Sequence, residues 1–351
     1  MCVIWRMAKT FGTRKIGVPT VLFAVGIFYF TPSASRAGEQ TPIASSNSLP
    51  DVSSLSGTLV VSSDGTAKFK TVQAAINAAA TGTVTSPTII RVKPGKYKEL
   101  IYIQREKRFL HLIGENPTNT VLTYDLNAKM SGPDGKPIGT FRTPSTLIDA
   151  DDFSAENITF ENSPGPVGQA LAIRIDGDRV AFRNCRFLGW QDTILANRGR
   201  HYFEGCYIAG HVDFIFGGAS CWFEKCRIHC LRDGYITAAS TPANQPFGFA
   251  FSNCRITGET PNVKTFLGRP WRSYASVTYL KTEMSDNVRP SGWDNWRDPA
   301  RESSVRYSEF NSFGPGASPD ARLKWARQLT AAEAQTFTLQ KVLGGQDGWI
   351  P

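Results

Sequence analysis

Two aspartates, Asp192 and Asp213, stand 21 residues apart in the stretch GWQDTILANRGRHYFEGCYIAGHVDFIFG, Gly189 to Gly217. Two carboxylates held side by side repel, so one keeps its proton to higher pH and the two titrate as a pair. A carboxylate beside a carboxylic acid supplies a nucleophile or base together with a proton donor. That division of labour cleaves an ester or a glycosidic bond. Amides accompany the pair: Gln191 precedes Asp192, and Gln169 lies 23 residues before Asp192. Amide N–H groups stabilise a developing oxyanion without adding charge. Arg269, in FLGRPW, is placed to clamp the ionised aspartate and hold its pKa down. Each residue alone has a structural reading; together they describe an acyl-transfer site.

The spacing gains meaning from the surrounding repeat. The segments VAFRNC, HYFEGC, CWFEKC and FAFSNC share one pattern, an aromatic, two residues and a cysteine. Their cysteines, Cys185, Cys206, Cys226 and Cys254, are separated by 21, 20 and 28 residues. ITFENS places Ser163 in the same slot 22 residues earlier, and Asn162, Asn184 and Asn253 precede the slot in three coils. A β-rich period just above twenty predicts a solenoid, whose coils stack equivalent residues at about 4.8 Å. Asp192 and Asp213 each lie seven residues after a cysteine, so they occupy one slot on neighbouring coils. Asp233, seven after Cys226, falls in the same slot, so a solvated ladder of aspartates is the competing reading.

The chain has 351 residues, 41% of them hydrophobic, and a formal net charge of +9. Five of its 39 basic residues and none of its 30 acidic ones fall in the first 37 positions, leaving 34 against 30 beyond them. That mild excess suits a polyanionic partner. No basic run with interleaved aromatics points to nucleic acid. Residues 1–37 read as a secretory signal: a basic start, the apolar Gly17 to Phe30 interrupted by Pro19, and small residues before cleavage at Ala37. The alternative is an uncleaved anchor. Residues 38–56 are a Ser- and Pro-containing linker, and 57–351 form one catalytic domain.

In chain order, Leu59 to Ser62 predicts a strand. KFKTVQAAINAAA predicts a short helix with Val72, Ala75, Ile76 and Ala79 on one face, capping the solenoid end. TIIRVKPGKYKELIYI reads as two strands around a turn, and FLHLIGE as another. Asn116 to Thr146 reads as projecting loops. From Thr260 to Arg301 the repeat weakens and Trp271, Tyr274, Trp293 and Trp296 crowd into what reads as long loops on the wall. LTAAEAQTF offers Thr330 and Glu333 as a capping box for a helix before Gly344.

With GKYKE (Gly95 to Glu99), QALAIR (Gln169 to Arg174), WQDT (Trp190 to Thr193), VDFIFG (Val212 to Gly217) and LGRPW (Leu267 to Trp271) in order, the chain resembles the pectin methylesterase (pectinesterase) family. The resemblance runs from about Gly57 to the C-terminus. It implies an all-β, right-handed parallel β-helix with short capping helices and long loops on one wall. It implies a secreted, monomeric esterase that removes methyl esters from polygalacturonate without cofactor or metal, and no membrane contact after signal cleavage. Carried over by motif, Asp213 is the nucleophile and Asp192 the general acid and base. Gln191 and Gln169 stabilise the oxyanion, and Arg269 orients Asp213. Trp271 joins the sugar-binding wall, and Thr140 in GTF contacts substrate. Trp190 replaces the family's usual tyrosine as an aromatic platform. The linker leaves no room for the inhibitor-like domain of many plant members.

The resemblance also implies a disulfide between Cys206 and Cys226, bonded in many plant members; an unbonded cysteine stack remains the alternative. The cysteine spacings lack a zinc pattern, and His111, His201, His211 and His229 form no clustered site. Neither a G-x-S-x-G elbow nor a phosphate-binding glycine loop is present. The rival readings are a pectin hydrolase or lyase on the same scaffold and a non-catalytic carbohydrate-binding solenoid. The amide pair favours ester chemistry over the hydrolase and lyase, and a binding solenoid does not explain why the Gln-Asp, Asp and Arg groups converge.

Overall fold

The computed structural model describes residues 58–351; the segments expected to be signal and linker lie outside the described residues. The repeat folds as a right-handed parallel β-helix. Every strand pairing is parallel. One wall is an eleven-stranded sheet from Thr58–Val61 to Arg327–Gln328. The other two walls are joined into a thirteen-stranded sheet by two long strands, Tyr207–Gly217 and Arg227–Ala239, which run through the corner between them.

The repeating aromatic forms the spine of the core. Phe182, Phe203, Phe223, Phe251 and Tyr279 are in register on successive coils. Their rings stack at centroid distances of 5.1, 4.6, 4.4 and 4.5 Å. All five are fully buried, and each buried ring contributes roughly 1.5–3 kcal/mol of transfer free energy. Three residues on, Cys185, Cys206, Cys226 and Cys254 form a second buried row. The residue before each cysteine turns the corner in the left-handed conformation: Asn184, Gly205, Lys225 and Asn253 have φ of 48, 59, 53 and 52°.

Coil length decides where the repeat is legible. The rung before Cys185 is Ile158, not Ser163, because Arg186 pairs with Thr159. The turn residue there is Asn157, with φ of 57°, not Asn162. That coil is 27 residues long, so a constant step misassigns it. Cys206 and Cys226, the candidate disulfide, are free thiols, as are the other four described cysteines. Each thiol instead donates to a carbonyl of the preceding coil, Cys206 to Phe182 O at 3.7 Å and Cys226 to Phe203 O at 3.4 Å.

The helix Val72–Ala78 packs its Val72, Ala75 and Ile76 face on the first strands, and Ala79 just beyond it is buried too. Glu99 of the GKYKE motif accepts from the amides of Val72 and Gln73 at 2.8 and 2.9 Å, so this carboxylate tethers the helix start. Three strands, not two, follow: Thr88–Val92, Gly95–Lys98 and Ile101–Ile103. The segment expected to be all loop contains the strand Thr120–Tyr124, whose Thr, Val and Tyr suit a pleated surface. Thr330 and Glu333 form the expected capping box. The helices Ala331–Ala334 and Leu339–Leu343 do not close the far end. They lie along the eleven-stranded wall, where Val342 and Leu343 pack with Tyr202 and Trp222. Trp293, expected on a long loop of the wall, is fully buried against Tyr307 at 4.4 Å.

Candidate active site

A cleft of about 400 Å³ is lined by Thr140, Gln169, Gln191, Asp192, Asp213, Arg269 and Trp271, with Phe141, Phe216, Ala238 and Trp296. All seven residues singled out in the sequence therefore meet. The coil register brings the two aspartates together. Ile194 pairs with Ile215, which sets Asp192 opposite Asp213, and Asp192 N donates to Val212 O at 3.1 Å. Both residues adopt the left-handed backbone, with φ of 65 and 52°. Aspartate tolerates that conformation better than most residues. The ladder slips between Val212 and Ile215, so Asp213 sits on a bulge in an otherwise continuous strand.

Asp233 does not continue the ladder. After Cys230 the coil lengthens, and the partner of Val212 is Tyr235. Asp233 is exposed instead, accepting from Lys264 N at 2.8 Å and pairing with Arg289 at 3.2 Å. The carboxylate stack therefore ends after two members.

Arg269 Nε donates to Asp213 Oδ1 at 2.8 Å and Nη2 to Oδ2 at 2.6 Å, a bidentate fork. Its guanidinium lies between the rings of Tyr235 and Trp296, at 3.9 and 3.8 Å from their centroids. The backbone approaches closely here: a Cβ on Gly268, the residue before it, would run into Thr237 Oγ1. Only glycine fits that rung.

Burial pushes Asp192 well above the usual carboxylate range; the Asp213 charge pushes the same way, and Arg269 opposes. Asp213 is raised too, by burial first, while the hydrogen bonds and charge of Arg269 pull it back. The arginine acts in the expected direction, but desolvation outweighs it. Arg269 bonds only one of the pair, so the two carboxyls are chemically unequal. Both carboxyls are pushed upward, Asp192 further than Asp213.

Gln169 and Gln191 form a parallel bridge on successive coils, so their amides rise side by side at the cleft. Trp271 packs on Phe141 at 6.4 Å and Phe216 at 5.8 Å. Thr140 and Phe141 ride on a loop held from beneath. Arg174 of QALAIR donates to Phe141 O at 3.3 Å, and the Asn162 amide donates to Leu126, Thr143 and Leu171 carbonyls at 2.9–3.0 Å. Trp190 is not in this cleft. Its ring lies on the neighbouring wall against His211, because alternate residues of an extended segment face opposite ways.

Phe141, Phe216, Tyr235 and Asp294, whose charge also pushes Asp213 upward, were not picked out by sequence reasoning. Phe216 carried a signal, since it sits in VDFIFG beside Asp213. Tyr235 and Asp294 belong to irregular coils without one. Among the described residues no group of three or more His, Cys, Asp or Glu could hold a metal ion.

The model of the Pectinesterase family matches residues 58–346. Pectinesterase 31 of Arabidopsis thaliana is 42% identical over 283 residues, covering 79% of this chain and 89% of its own length. Among solved structures, pectin methylesterase from carrot superimposes with a TM-score of 0.76 at 32% identity, covering 82% of this chain and 93% of that one. A pectin methylesterase in complex with a hexasaccharide superimposes with a TM-score of 0.72 at 31% identity, covering 84% and 98%. The match takes in every coil that builds the cleft, and the chain belongs to the pectinesterase family of carboxylic ester hydrolases.

Proposed function

We propose that the chain carries out the family's reaction, hydrolysis of the methyl esters of pectin, through an acyl-enzyme on Asp213. The observation that carries this reading is the inequality of the two stacked carboxyls, one forked by Arg269 and the other buried without such a partner. Ionised Asp213 attacks the C6 carbonyl carbon of a methylated galacturonate. The amides of Gln191 and Gln169 donate to the oxyanion of the tetrahedral intermediate. Asp192 gives its proton to the departing methoxy oxygen, and methanol leaves. Now a carboxylate, Asp192 takes a proton from water as the water attacks the acyl carbon, and Asp213 is expelled. The product acid ionises in solution. Arg269 keeps Asp213 oriented throughout, and Trp271, Phe141 and Thr140 hold the sugar.

Residues 1–37 act as a secretory signal, 38–56 as a linker and 57–351 as the catalytic unit, delivering the enzyme to pectin outside the cell as a monomer. Among the described residues no helix is long and apolar enough to cross a membrane. The test follows methanol, acid and chain length together on highly methylated pectin with excess chelator. Methanol with matching acid and unchanged chain length is expected. Chain shortening without methanol would mean hydrolase or lyase chemistry on this scaffold.

A further inference from the structure

A second hollow, of about 370 Å³, lies on the outer face of the wall that carries Arg186–Leu188 and the first half of Tyr207–Gly217. It is lined by Trp190, Tyr207, Arg186, Leu188, Glu161 and Asn162 among others. Trp190 stands between the two cavities in sequence: its neighbour Gln191 lines the catalytic cleft.

The charge around this hollow is lopsided. Arg186, Tyr207 and Arg227 are in register on three successive coils. The two guanidiniums lie 5.3 and 5.6 Å from the Tyr207 ring, and Arg232 lies 4.9 Å from the Trp190 ring. Among the described residues none of these three arginines pairs with a carboxylate. The nearby acids have partners of their own: Glu161 has Lys96 at 3.4 Å and Thr123 at 2.7 Å, and Glu259 has His229 at 2.8 Å. The eleven-stranded wall differs, since its Arg183 faces Glu204 at 3.6 Å. Stacking on a ring occupies a guanidinium's flat face and leaves its N–H edge free to bind a carboxylate.

We propose that this hollow is a second binding site for an acidic uronate oligosaccharide, the de-esterified product chain. The proposal rests on the function argued above, because that reaction turns a neutral ester chain into a polycarboxylate. Trp190 presents its ring to a sugar, and Arg186 and Arg227, seated on either side of the Tyr207 ring, take carboxylates with their free N–H edges. They stand two strand spacings apart, about 9.6 Å, a separation on the scale of a disaccharide. A chain leaving the cleft demethylated is thereby retained beside it.

The test titrates the whole protein, carrying Asp213→Asn so that a methylated oligomer stays intact, with a fully de-esterified galacturonate oligomer and with its methylated counterpart, at low salt; methanol release is read without that substitution. The variants are Arg186→Ala with Arg227→Ala and, because Arg227 is exposed, Arg227→Ala alone, with thermal melts confirming that both fold. The double variant should bind the acidic oligomer about tenfold more weakly, the scale of two partly exposed charge contacts. The single variant should show a smaller loss, and methanol release from a short methylated oligomer should stay within about twofold. Unchanged affinity in a folded double variant overturns the proposal. So does equally tight binding at this hollow of the methylated oligomer or of inorganic polyphosphate. If the wild type releases no methanol, the functional reading fails, while the binding titration still decides whether the hollow takes uronates.

Discussion

The cysteine row and the aspartate pair run through the same coils, seven residues apart, and behave as opposites. Cys185, Cys206, Cys226 and Cys254 form an unbroken, fully enclosed row, and burial pushes the Cys185 and Cys226 thiols well up. Asp192 and Asp213 are nearly as buried but open onto a cleft, and their row stops after two members because the next coil lengthens before Tyr235. Stacking alone therefore makes no site. A stack becomes chemical where coil length breaks it and a group from elsewhere, Arg269, distinguishes its members.

The sharpest break in this contrast is Asp213→Asn. It removes the proposed nucleophile but leaves the coil, so methanol release should fall about 10⁴-fold with little change in melting temperature. In the core the result reverses. Phe203→Ala empties the middle of the ring stack and should cost about 3–5 kcal/mol of stability in denaturant titration, with each folded molecule still active.

Asp192→Asn combines the two behaviours. Activity should drop steeply, as no proton reaches the methoxy group. Stability should rise at neutral pH. The Asp192 pKa is raised on folding, so above the unfolded value of about 3.9 the native state holds a proton that the unfolded chain has released. Wild-type stability therefore declines as pH climbs from there to the native pKa. Asparagine removes that decline, and the gap in melting temperature should widen over the same window.

The smallest effect belongs to the cysteine row. Because Cys206 and Cys226 are free, a reductant should leave the melting temperature unchanged. A drop of several degrees would signal a disulfide after all.

How much of this was legible in the sequence follows from the same contrast. The rungs from Phe182 to Phe251, the helix face of Val72, Ala75 and Ile76, and the Thr330 capping box are local or evenly spaced patterns, and they are where expected. Ser163, Asn162 and Asp233 were misplaced because a coil of different length shifts every later residue, and apolar spacing does not report that. Asp192, Asp213, Gln169, Gln191 and Arg269 were legible from chemistry and motif together. Tyr235, which sandwiches Arg269 with Trp296, was not, because its place depends on the irregular return after Cys230. Phe141 was hidden in a loop whose position is set from beneath by Asn162 and Arg174.

The proposed mechanism holds two carboxyls on adjacent coils in opposite protonation states. Carbon-13 labelling of the aspartate carboxyls, with NMR titration and assignment through Asp192→Asn and Asp213→Asn, reads it directly. Asp213 should lose its proton first, and Asp192 should remain protonated well above the ordinary aspartate range. Loss of the Asp192 proton first, or both titrating together near the ordinary value, would contradict the account.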